Sequence, residues 1–116
     1  MTRRTAAQAI VRRDQSGPDT SAHVEQLEKL SADQDFELVG GKVLILDSDT
    51  DFPLLLSALT VNEIHKILIP TVLHVTGWLD VMCRGAEVWT VHPPGHWPRK
   101  PASQAGVRFV PGESPR

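Results

Sequence analysis

The hydrophobic positions along the chain change period several times, and those changes mark its elements. Over residues 20–32, Val24, Leu27 and Leu30 recur three apart, which places them on one face of a helix capped by Asp19 or Thr20. Residues 36–39 and 43–46 then read as strands on either side of Gly40-Gly41. Glycine accepts the positive φ of a two-residue hairpin turn. That turn sets Leu38 opposite Val43 and Phe36 opposite Ile45, so all four share one face of a sheet. A polar turn at 47–51 leads into a helix through 53–59, capped by Thr50 or Asp51 and ending between Asn62 and His65. Pro53 is tolerated in its first turn, where the missing N–H has no intrahelical partner to lose.

Residues 67–75 favour a strand, with Pro70 forcing an edge position or a bulge. Residues 78–83 and 86–91 flank Arg84-Gly85 as a second hairpin. Prolines at 93, 94, 98 and 101 then exclude regular structure, and 107–110 adds one short edge strand. At the other end, Ala6, Ala7, Ala9 and Ile10 favour a short helix over 2–13, broken by Gly17-Pro18. The sum is an α+β domain. It has a mostly antiparallel sheet or small barrel of five to six strands, two to three short helices on one side, and extended termini.

Charge divides the chain more sharply than hydropathy does. Residues 1–13 carry four arginines and no acid, residues 14–87 carry four bases against thirteen acids, and residues 88–116 carry four bases against one acid. The expected organisation is a basic N-terminal arm (1–18), a globular α+β domain (19–97) and a Pro-rich basic C-terminal arm (98–116). Such arms can meet nucleic acid or the acidic body of a neighbouring copy. The body has no basic stripe with interleaved aromatics and no phosphate-cradling glycine loop, so nucleic acid is not favoured. With 116 residues the chain allows one domain. Its single cysteine, Cys83, cannot close an internal disulfide, which points to a reducing, cytoplasmic setting. No apolar run is long enough for a membrane span, and the N-terminus lacks the apolar block of a signal peptide.

Three groups carry candidate chemistry. Asp47, Asp49 and Asp51 alternate after a strand, as carboxylates around a hard cation do, but Phe52 and Ala58 stand where a calcium loop needs glycine and glutamate. The run 43–49 also resembles the first motif of haloacid-dehalogenase-type phosphatases, yet Thr50-Asp51 replaces the Gly-Thr that should follow. A polar, helix-capping turn is the simpler reading. His92, His96, Cys83 and His74 are zinc-ligand types at no standard spacing. A loop that packs Trp97 back onto the sheet fits them better. Cys83 has no nucleophile signature around it and reads as a half-buried strand residue. No catalytic residue, metal or cofactor is therefore assigned.

The segment 84–91, followed by a Pro/Gly stretch and a last short strand, resembles small tailed-phage head–tail joining or head-decoration proteins over about residues 78–110. That resemblance implies a structural protein of a virion, in host cytoplasm and particle, and transfers no functional residue. The expected function is a non-enzymatic subunit of a larger assembly. Its partners are other copies or other subunits, reached through Arg3, Arg4, Arg12, Arg13, Arg99 and Lys100, with Trp97 as aromatic anchor. The alternatives are a regulatory or inhibitor protein presenting Asp47, Asp49 and Asp51 to a basic partner, and a small metal-dependent hydrolase.

Overall fold

The computed structural model describes residues 5–100 and 106–112. It opens with the interior strand β1 (Thr5–Arg12), and a one-turn α1 (Arg13–Ser16) follows directly. The helix α2 (Thr20–Asp33) leads to β2 (Phe36–Leu38) and β3 (Leu44–Leu46), which are separated by a 3-10 turn at Val39–Gly41. Next come α3 (Phe52–Val61) and β4 (Lys66–Ile69), then a 3-10 turn at Val72–Val75. The chain continues through α4 (Leu79–Gly85), β5 (Glu87–Thr90), β6 (Gly95–Trp97) and β7 (Val110–Pro111).

The sheet is mixed and open. β1 runs parallel to β2, β3 and β4, and β4 runs parallel to β5; only β6 and β7 are antiparallel additions. The α+β composition therefore holds, but the expected antiparallel sheet or barrel does not. Helices lie on two faces rather than one. Leu27 of α2 packs with Ala7, Ala9, Val11 and Leu68, whereas Phe52 and Leu59 of α3 and Met82 and Cys83 of α4 pack with Ile10, Ile67, Ile69 and Val88. Neighbouring residues of β1 and β4 thus point to opposite layers, as the pleat requires.

Several local expectations fail, and for β1 the reason is that tertiary pairing overrides local preference. The helix expected over 2–13 is, where described, the strand β1, with Ala7, Ala9, Ile10 and Val11 all fully buried. A strand covered on both faces reads as a continuous apolar run, and small alanines let α2 approach closely. Residues 5–12 are consequently the centre of the sheet, not part of a free arm. Gly40-Gly41 does not close a hairpin. Both glycines have positive φ, 69° and 74°, but the turn lays β2 and β3 in succession along β1, in parallel register. The second hairpin is absent too, because residues 79–85 are helical. The expected 67–75 strand stops at Ile69, and residues 95–97 pair with β5 despite the surrounding prolines. The helices expected over 20–32 and 53–59 are present as α2 and α3, and an edge strand lies at Val110–Pro111.

Candidate interaction surface

In an open parallel sheet, ligands gather at the carboxyl ends of the strands, where successive connections leave in opposite directions. Here that point lies between β1 and β4. It is filled by this chain's own side chains. Arg12 is 7% exposed and His74 is 1% exposed. The Arg12 guanidinium donates to Asp14 from Nε at 3.0 Å and from Nη2 at 2.6 Å, and Asp14 is held below its ordinary range mainly by that hydrogen bonding. The Arg12 backbone N–H donates to His74 Nδ1 at 2.9 Å. His74 is neutral, its pKa pushed down to about 4, first by burial and then by the neighbouring His23 and Arg12.

These bonds fix the proton positions. Since Nδ1 of neutral His74 accepts, its Nε2 carries the hydrogen and points it at Ser16 Oγ, 3.4 Å away. The Ser16 hydroxyl is then free to donate to His23 Nδ1 at 2.6 Å. A serine flanked by two imidazoles has the ingredients of a nucleophile and its base. Ser16 is nevertheless only 4% exposed, so an incoming carbonyl cannot reach its oxygen along an open path. The network ties β1, α1, α2 and the turn after β4 together. His23 and Ser16 carry no local motif, which is why neither stands out in the sequence.

The other sequence candidates scatter. Asp47 and Arg13 pair at 2.9 Å on the surface, while Asp49 accepts from Trp78 Nε1 at 2.9 Å. Asp51 occupies the N-cap position of α3 without a side-chain capping bond. No group of three metal-ligating side chains converges among the described residues. Cys83 lies in α4, fully buried rather than half-buried in a strand, and burial pushes its thiol up to about 11. His92 bonds Gln26 at 2.9 Å and His96 stacks on Trp89, so the two histidines serve different contacts. Trp97 does pack back onto the body, against Phe109 and the α3–α4 core.

Of the basic residues expected to dock on partners, Arg12 and Lys100 are buried. Lys100 Nζ donates to Asp80, which is held below its ordinary range chiefly by that bond, and its backbone N–H caps Cys83 O at 2.8 Å. Arg13 and Arg99 are exposed. Arg3 and Arg4 lie outside the described residues.

What stands uncovered among the described residues is α3. Its ten residues, FPLLLSALTV, contain no charge, and only Phe52 and Leu59 are buried. Leu54 is 77% exposed and Val61 is 80% exposed. At 100° per residue, positions 54, 57, 58 and 61 form one stripe. Single exposed apolar residues are ordinary, but a charge-free helix presenting an apolar stripe is not. Beside Val61 a groove of about 650 Å³ separates α3 from α4. Leu56, Leu59, Ile64, Ile67, Val81 and Met82 line it, together with Arg84 and Arg99. A second hollow of about 530 Å³, near Glu28, Glu37 and Gly40, is polar and lies beyond β2. The absence of Asp, Glu, Lys and Arg from 52–61 is the signal in the sequence that could have singled out this helix.

Comparison with known proteins finds no matching family model, no matching curated protein and no matching solved structure. No helix among the described residues is long and apolar enough to cross a membrane.

Proposed function

We propose that the protein is a non-enzymatic interaction subunit that binds another protein through the α3 face. The observation that supports this is the charge-free stripe with Leu54 and Val61 about four-fifths exposed beside an apolar groove. Contact with water costs this surface roughly 25 cal/mol per Å² of apolar area, which a protein partner recovers on docking. A lipid surface is a poorer match, because interfacial helices carry basic residues on their polar face and α3 has none. The buried hydroxyl of Ser16 argues against catalysis at the sheet's carboxyl edge. Relative to the assembly role expected from charge, the contact surface moves from basic arms to an apolar helix.

The test is site-specific photocrosslinking. With p-benzoylphenylalanine at position 61, irradiation of cells expressing the full chain is expected to give discrete protein adducts. The same group at position 25, on the exposed side of α2, is the control and is expected to give none. If position 61 gives no adduct, or only the smear that position 25 gives, the interaction reading fails.

A further inference from the structure

We infer that the protein on this surface is a second copy of the same chain, with α3 packed antiparallel on α3 across a two-fold axis between Ser57 and Ala58. This rests on the reading of α3 as a binding face. A two-fold contact requires a surface complementary to itself. The stripe meets that requirement in side-chain size. Leu54 and Val61 are large and lie at its ends; Ser57 and Ala58 are small and lie at its middle. An axis through the middle places each Leu54 against the partner's Val61, at the mouth of the groove between α3 and α4. The small central residues let the two helix axes approach closely.

Charge favours the same arrangement. The body is acidic overall, so most pairings of two copies would bring like charges together. The segment 52–61 contributes none. Antiparallel packing also lays the exposed Asp51, at the start of one helix, near the far end of the other. There the exposed Arg99 lines the groove and is the charge that faces Asp51, since Arg84 beside it already pairs with Asp80 at 3.4 Å. Parallel packing would instead set Asp51 against Asp51. The contact of two ten-residue helices, extended by Val81, falls at the small end of specific interfaces. The expected dimer is accordingly a micromolar, exchanging one.

Sedimentation equilibrium of the full chain tests this. The expected result is a concentration-dependent monomer–dimer equilibrium that Ala58→Arg weakens at least tenfold without changing the circular dichroism of the monomer. Asp51→Arg should weaken it several-fold, and Asp51→Arg with Arg99→Asp should restore it. Geometry is read by cysteine pairing under copper–phenanthroline oxidation. A mixture of Leu54→Cys and Val61→Cys chains should join, as should Ala58→Cys with itself. Leu54→Cys alone should not, since the two copies of that position lie roughly 10 Å apart along the axis, beyond disulfide reach. A protein monomeric up to about 1 mM, the weak limit of specific association, overturns the proposal. So does a dimer in which Leu54→Cys joins itself and not Val61→Cys. If such a monomer still yields adducts at position 61 with a different protein, only the second copy is excluded. If position 61 yields no adduct at all, the binding face itself is excluded.

Discussion

His74 shows what burial does to one side chain. Its imidazole titrates near 6.5 in an unfolded chain and at about 4 in the fold, because burial, His23 and Arg12 all disfavour the cation while Asp14 alone favours it. Between these values the unfolded state binds a proton that the native state does not. His74 therefore contributes stability that is fully present above pH 6.5 and is lost as pH falls toward 4. With allowance for residual solvent screening, the loss by pH 4 is about 2 kcal/mol. His74→Asn keeps an acceptor near the Nδ1 position for the Arg12 N–H and removes the titration. Urea unfolding at pH 7 and at pH 4.5 should show a fall in stability for the wild type and a much smaller one for the variant. Parallel falls would assign the effect to other groups. At this scale the sequence was informative about Trp97, an aromatic between prolines that has to pack somewhere, but placed Cys83 half-buried in a strand where the fold buries it fully in α4. It was silent about Ser16 and His23, whose partnership exists only once α1 and α2 are folded together.

At the scale of elements, α3 joins two opposite roles. Phe52 is fully buried, meets Trp78 edge-on at 5.5 Å and pins the start of the helix to the core. Phe52→Ala should cost about 3–5 kcal/mol in chemical unfolding. Leu54→Ser and Val61→Ser, on the exposed side, should change monomer stability by no more than about 0.5 kcal/mol. Equal losses at all three positions would mean that the stripe is core. α2 and α3 were legible because their apolar spacing and starting residues agree. α4 was misassigned as a strand although Leu79, Met82 and Cys83 stand at helical spacing; the Arg84-Gly85 pair imitates a hairpin turn. β1 was misassigned as a helix because alanine's local preference is worth only tenths of a kcal/mol, far less than burial against α2 and pairing with three strands.

For the whole molecule, those two misassignments hid the topology. With β1 as a strand and α4 as a helix, a helix separates β1 from β2, β3 from β4 and β4 from β5, and helix-length connections favour parallel neighbours. With both reversed, the same chain looks like consecutive hairpins. The uneven charge was legible, but its meaning was not, because the described portion of the N-terminal basic segment is central sheet and its Arg12 is neutralised internally.

The placement of β1 also bears on the order of events during folding. Its pairing partners follow far along the chain, Phe36 for Thr5, Leu44 for Ile10 and Ile67 for Gln8, whereas β4 and β5 pair over a shorter separation, Glu87 for Lys66. Closing a long loop loses entropy before any contact is gained, so distant pairings lag near ones. Amide protection in pulsed hydrogen exchange should rise in Ile67–Ile69 and Val88–Thr90 before it rises in Ala7–Val11. The strand that every other parallel strand leans on, directly or through one neighbour, is thus expected to be the last to lock, and a chain caught before that moment presents a β4–β7 sheet with an unpaired edge while β2 and β3 have no strand to pair with.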